Sequence, residues 1–258
     1  MKKQLLTAAI IAASAASASA EQFWADNSVS LLYGSDYTMT PANGEENTIT
    51  TMTLEHVSGH SWGGLFLFVD RLNGESDYHE TYGEFSPKFT LTSFEDSVVK
   101  NINAAFTYEF SSSTVGQNGS GFSQDNYLYG VGADLAIPGM DFASVTYYYS
   151  QRNTNFDNGD NDHQITLTYG WSEGNFAIDG FLDWSTGTED HDAELNFTPQ
   201  LTYNLGPMLG VQNKVKLGIE YSYWNNKFGV PVSNPFDGIE KDSDRDQNAV
   251  SLLLKVHL

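Results

Sequence analysis

Apolar and polar residues alternate along most of the chain, in blocks that recur about every twenty residues. Between residues 98 and 110 one face reads Ile102, Ala104, Phe106, Tyr108, Phe110, and the other Asn103, Ala105, Thr107, Glu109. Block 125–137 sets Tyr127, Tyr129, Val131, Ala133 and Leu135 against Asn126, Leu128, Gly130, Gly132 and Asp134. Block 162–171 sets His163, Ile165, Leu167, Tyr169 and Trp171 against Gln164, Thr166, Thr168 and Gly170. Block 214–224 sets Val215, Leu217, Ile219, Tyr221 and Tyr223 against Lys214, Lys216, Gly218, Glu220 and Ser222, and the chain ends on Val250, Leu252, Leu254, Val256, Leu258. Seven further blocks lie at 27–33, 48–57, 62–72, 79–91, 141–152, 176–185 and 194–205. Period-two alternation with one greasy face predicts twelve strands. Strands of about 9–11 residues are long enough to cross a bilayer when tilted.

The connections alternate in length. Short turns fall at 58–61, 92–97, 138–140, 172–175 and 206–212; longer polar loops fall at 35–47, 73–78, 111–124, 153–161, 186–193 and 225–246. An even strand number with long loops at one end and short turns at the other predicts an all-β fold: a transmembrane antiparallel β-barrel with both termini periplasmic. Closure also removes the sheet edges that hydrocarbon cannot leave unpaired. Rings on the presumed outward face form two groups. Tyr108, Phe110, Tyr127, Tyr149, Trp184, Tyr221 and Tyr223 lie toward the long loops; Phe89, Tyr169, Trp171, Phe176 and Tyr203 lie toward the short turns. Amphipathic rings collect at both headgroup levels of such barrels. The competing fold is a water-soluble sandwich with tyrosines on its edges.

The first twenty residues read as a leader. Met1-Lys2-Lys3 is positive, the Ala-rich stretch from Leu5 to Ala18 is too short to span a bilayer, and Ala18-Ser19-Ala20 is a cleavage pattern. Residues 21–258 are then one barrel domain of the bacterial outer membrane, with lipid and lipopolysaccharide around it. Formal net charge is −21, and −23 once Lys2 and Lys3 are lost with the leader. That surplus of acid argues against nucleic acid as a partner, since phosphate binding needs Lys and Arg. With no cysteine, disulfides and thiolate–zinc sites are excluded.

Twelve strands lie between barrels filled by side chains and barrels with wide aqueous channels, so the bore should be a narrow slot. The polar faces place an unusual number of rings in it: Trp62, Phe66, Phe68 and Asp70 on the third strand, Tyr82 and Glu84 on the fourth, Phe142 and Tyr148 on the seventh, Phe181 and Asp183 on the ninth, Trp224 on the eleventh. Lys88, Lys214, Lys216, Lys255 and His257 are the inward cations. Rings beside carboxylates suit a solute with a flat apolar face and a polar edge, and stacking a base on an aromatic contributes roughly 1–3 kcal/mol. A neutral nucleoside fits better than a nucleotide, whose phosphate the acid would repel. The plainer reading is that the rings plug a closed barrel serving as receptor, adhesin or structural protein.

Trp62-Gly63-Gly64-Leu65-Phe66-Leu67-Phe68-Val69-Asp70-Arg71, with Tyr82-Gly83-Glu84-Phe85-Ser86-Pro87-Lys88, resembles the nucleoside-specific outer-membrane channel family that includes Tsx and OmpK. Val29-Ser30-Leu31-Leu32-Tyr33-Gly34 and Thr53-Leu54-Glu55-His56 fit the same family. The resemblance spans 27 to about 91; beyond it only strand pattern and length agree. It implies a twelve-stranded channel for nucleosides whose external loops also serve phages and colicins, and it marks Phe66, Phe68, Asp70, Tyr82 and Glu84 as lumen residues.

Other chemistry is weaker. Asp157-Asn158-Gly159-Asp160-Asn161-Asp162 has calcium-loop texture but lacks the distal bidentate Glu, so a solvated turn is expected, the alternative being a weak divalent-cation or lipid-headgroup site; no resident metal and no cofactor are expected. Lys241-Asp242-Ser243-Asp244-Arg245-Asp246 reads as a solvated loop. The six histidines, His56, His60, His79, His163, His191 and His257, lie at turns, loops or strand ends without a serine elbow or metal spacing. Asp190-His191-Asp192 does not orient a base toward a nucleophile, so no enzyme is expected.

Overall fold

The computed structural model describes residues 21–38, 46–75, 77–115, 120–154, 161–189, 191–211, 214–229 and 246–258. The leader, Asp157 to Asp160, Asp190 and Lys241 to Arg245 lie outside the described residues.

Twelve strands are present among the described residues: β1 Gln22–Thr38, β2 Glu46–His60, β3 Gly63–Gly74, β4 His79–Ser93, β5 Val99–Val115, β6 Ser120–Leu135, β7 Phe142–Gln151, β8 Asp162–Glu173, β9 Phe176–Ser185, β10 Glu194–Asn204, β11 Val215–Asn225 and β12 Gln247–His257. Each pairs antiparallel with its neighbours in sequence, and β12 returns to β1 to close the barrel. The seam register sets Ser28 opposite His257 and Ser35 opposite Val250. A sandwich is thereby excluded, because no sheet edge remains.

Outward positions carry the apolar set read from the sequence. Leu31, Leu54, Val131, Ile219, Leu252 and Leu254 are exposed there and share no interior core. The lone helix among the described residues is a single turn, α1 (Gly206–Leu209), inside the 206–212 connection. Outward charges such as Arg71, Lys100 and Glu173 sit near strand ends. At the hydrocarbon midplane a charge would cost about 2–4 kcal/mol. Aromatic pairs recur toward both ends: Tyr108 with Tyr127 at 5.3 Å between ring centres, and Phe176 with Tyr203 at 5.0 Å.

Trp62 and two loop boundaries depart from the sequence reading; the expected 111–124 loop is mostly strand, since β5 runs to Val115 and β6 starts at Ser120. Trp62 does not face the bore; it lies in the β2–β3 turn, stacked on His60 at 4.8 Å and against outward Phe89 at 5.1 Å. The turn breaks the alternation at that residue, so parity counted back from Phe66 fails there. β1 is also longer than residues 27–33, because a register slip between Gly34 and Tyr37 lets the ladder with β2 run on past the expected loop start.

Candidate functional site

Strand pairing decides which side chains share the bore. Asp70 stands opposite Tyr82, Phe68 opposite Glu84, and Glu84 opposite Glu109. Across β6 to β9 the same face carries Asn126, Gly130, Tyr148, Gln164, Thr166 and Asp183. The rings of the third and fourth strands form a continuous run: Phe66 to Phe68 at 5.6 Å, Phe68 to Tyr82 at 5.7 Å. Tyr82 donates its phenol proton to Glu84 Oε1 at 2.8 Å. Tyr148 faces this run from β7, within electrostatic reach of Glu84 and Asp183. Gly130 makes room for it: a Cβ there would lie 2.5 Å from the Tyr148 ring. Asp183 accepts a hydrogen bond from Thr166 at 2.5 Å.

Seven residues expected from sequence thus converge: Phe66, Phe68, Asp70, Tyr82, Glu84, Tyr148 and Asp183. Phe181 lies one inward step from Asp183 toward the short turns and is half-buried. Trp224 is at the long-loop end, donating through Nε1 to Glu194 Oε2 at 3.0 Å. Lys216 lies toward the short-turn end near Asp179, and Lys214 precedes β11, exposed at that rim. Neither lysine joins the ring run. Their parity is right, but their height in the barrel is not.

Carboxylates dominate the middle of the bore. Glu109, weighed in the sequence only as one partner of an apolar face, lies within electrostatic reach of Glu84, Tyr82 and Asp183; Glu220 lies within reach of Asp70 and Asp179. Asn126 Nδ2 binds Glu109 at 3.0 Å and Gln200 Nε2 binds Glu220 at 2.7 Å. Cations lie toward the ends. Lys88 pairs with Asp134 at 2.6 Å and Lys255 with Glu55 at 3.1 Å toward the short turns. A cavity of about 260 Å³, lined by Lys88, Asp134, Phe142, Ser144 and Thr168 among others, opens at that end. Carboxylates gathered around a bore with little counter-charge repel anions and concentrate cations.

The long-loop end is more filled than the sequence suggested. Tyr37, Ile49, Tyr78 and Ala249 form a buried apolar cluster with Leu72 packed against it. A 3-10 turn, Lys227–Gly229, holds Lys227 over the Trp224 ring, 5.2 Å from its centre. His191 Nε2 lies 3.0 Å from Asp162 Oδ2, and Arg152 reaches both Asp162 at 3.5 Å and Glu194 at 3.9 Å. These residues lie in or beside loops where alternation gives no signal. The repeated Ser-Asp-Tyr at 35–37 and 76–78 was the available clue.

One histidine arrangement differs from expectation. His56 lies within β2 on the outward face, with Nδ1 2.8 Å from Asn27 Oδ1 and Nε2 3.0 Å from Ser58 Oγ, which also meets His60 Nε2 at 2.9 Å. The order Asn–His–Ser resembles that of a hydrolase. Ser58, however, is only 2% exposed and its strand is paired on both sides, so it offers neither an accessible nucleophile nor spare backbone donors for an oxyanion. Among the described residues there is no group of three or more His, Cys, Asp or Glu able to hold a metal.

No family model matches the chain, and no curated protein matches it in sequence. Among solved structures it is similar to the NanC porin, at 13% identity with a TM-score of 0.51 over 90% of this chain and 100% of the other. It is also similar to the KdgM porin, at 10% identity with a TM-score of 0.46 over 89% and 98%. At 13% identity the likeness to the NanC porin bears on the fold alone, a closed twelve-stranded antiparallel barrel.

Proposed function

We propose that the protein is a bacterial outer-membrane channel for passive, substrate-selective diffusion of small solutes, with nucleosides the class that fits best. The greasy outer face and the two ring belts suit lipid and lipopolysaccharide. The long loops then face outward, both termini face the periplasm, and residues 1–20 are removed on export. The observation that carries the reading is the run Phe66–Phe68–Tyr82 beside Asp70 and Glu84. A base stacks on the rings, and ribose hydroxyls donate to the carboxylates. Glu84, Glu109 and Asp183 disfavour a phosphate, so nucleosides pass in preference to nucleotides.

Purified protein in planar bilayers should conduct, and micromolar to millimolar nucleoside should reduce the current more than sugars do. Phe68→Ala should weaken that block several-fold, by the loss of a stacking surface. Lipid-facing Leu67→Ala should alter stability only. Equal block in the two variants, or current indifferent to every nucleoside, refutes the substrate while leaving a channel.

A second reading is a closed barrel whose external loops serve as a receptor for phage or colicin, as an adhesin, or as a structural element. The filled long-loop mouth around Tyr37, Tyr78 and Lys227 favours it. Normal folding without any single-channel current would decide for it.

A further inference from the structure

Four non-glycine residues among those described adopt positive φ: Asp36 at 67°, Asp77 at 57°, Asp96 at 51° and Asn226 at 52°. Left-handed backbone costs a non-glycine residue roughly 1 kcal/mol, least for Asp and Asn, and such positions gather where geometry serves function. Three of the four immediately precede the residues that fill the long-loop mouth. Asp36 precedes Tyr37, Asp77 precedes Tyr78, and Asn226 precedes Lys227.

The three side chains approach from different parts of the rim. Tyr37 comes from the end of β1, where the ladder slips, and its hydroxyl lies 2.6 Å from Ser251 Oγ on β12. Tyr78 comes from the β3–β4 connection and donates to Glu80, which also accepts from Ser111 Oγ at 2.7 Å. Lys227 comes from beyond β11 and donates to Thr38 O at 3.0 Å and Gln247 Oε1 at 2.5 Å. The turn that holds it is tied across to the β9–β10 loop: Asp192 N donates to Gly229 O at 2.8 Å and Asn226 Nδ2 to Ala193 O at 2.9 Å. Both tyrosines are at most 9% exposed, which a wide open mouth does not allow.

We propose that Tyr37, Tyr78 and Lys227 form the size-selecting constriction of this channel, an eyelet at the long-loop mouth that admits slender flat solutes and excludes bulkier ones. The inference rests on the channel reading above but not on the identity of the solute. The two rings are held at their hydroxyls, so they form a stiff wall. Lys227, on the longest side chain of the three, is the part that can swing. Solutes that offer hydrogen-bond acceptors can take over its ammonium as they pass, and purely apolar ones cannot.

The test compares the full-length protein with Lys227→Met, Tyr78→Ala and the Tyr37→Ala/Tyr78→Ala pair. Single-channel conductance and liposome swelling in neutral sugars from mono- to trisaccharide are measured after folding is checked by circular dichroism. Lys227→Met keeps the apolar stem over Trp224 and lies outside the strands, so the test does not depend on the tyrosine variants folding. Each variant should raise conductance at least about twofold, and the tyrosine pair should admit a trisaccharide that the parent excludes. A conducting parent whose folded variants keep the same conductance and the same size limit overturns the inference and leaves the channel standing. A silent parent opened by the substitutions supports the inference, with the eyelet shut at rest, and refutes free diffusion. Silence in all of them refutes both.

Discussion

The two mouths of the barrel hold their charges differently. At the long-loop rim Arg152, Asp162, His191 and Glu194 are largely out of water, and Lys227, in the 3-10 turn after β11, is buried. At the short-turn rim Lys88 keeps 44% of its side chain exposed while paired to Asp134, and a cavity opens beside the pair. The ion pairs of one rim sit inside a packed assembly; at the other, Lys88–Asp134 lines a vestibule, while Lys255–Glu55 is largely buried below it. On the channel reading, this contrast puts the resistance to permeation at the long-loop end, with the acidic ring run below it.

The sharpest way to break this contrast is to make the same kind of change at both rims. Arg152→Met leaves Asp162 and Glu194 short of a counter-charge in a poorly hydrated setting. It should cost about 2 kcal/mol, read as a lower urea midpoint for barrel unfolding. Lys88→Met should cost under about 1 kcal/mol, because an exposed pair is screened by water. Equal losses would erase the distinction between the mouths. Between these extremes, Glu84→Gln with Asp183→Asn should lower the cation-to-anion permeability ratio several-fold, measured as a reversal potential in a salt gradient. An unchanged ratio would mean that selectivity arises at a rim and not in the middle of the bore.

The smallest effect concerns pH. Burial pushes the Lys227 ammonium down to about 8, with Glu80 pulling the other way. Thr38, Trp224 and Gln247 also lie against it, none of which titrates in that range, and burial holds the nearby Tyr78 phenol above its usual range. A lysine whose value falls on burial disfavours the closed seat while it is charged. The seat therefore gains stability as pH rises from about 8 toward the solvated value near 10.5. Openings should become rarer over that window, and Lys227→Met should abolish the dependence. A parent whose opening frequency ignores pH would show that the amine never leaves its seat.

The strands were legible because a closed barrel with an apolar outer face imposes the alternation. Every second residue from Val250 to Leu254 is exposed on the outer face of the barrel, and nothing local competes with that pattern. The ring run was legible for the same reason, since Phe66, Phe68, Tyr82 and Glu84 occupy the opposite parity. Height along the barrel was not, because alternation fixes only the face. Lys214 and Lys216 therefore entered the candidate set although they belong to the far rim. Trp62 was misplaced because a turn resets the count, and Lys227 was invisible inside a long polar loop. Glu109 and Glu220 stood on the correct face, but parity alone does not tell which acids lie at the height of the ring run. Proline at position 199 gave no warning either. It lies inside β10, where the ladder with β11 skips Thr198 and Pro199 yet resumes in register at Gln200.

The pairing of β1 with β12 has a consequence for how the molecule is made. The seam joins the two ends of the polypeptide, with His257 Nδ1 2.7 Å from Asp26 Oδ2 and Lys255 bound to Glu55 on the neighbouring β2. Such distant partners meet late in folding, so a nascent cylinder passes through a stage with two bare margins. Hydrocarbon does not tolerate bare margins, and a polypeptide shortened by its last ribbon would keep both of them permanently. Loss of the final eleven-residue strand should therefore abolish membrane assembly outright, leaving no smaller working pore.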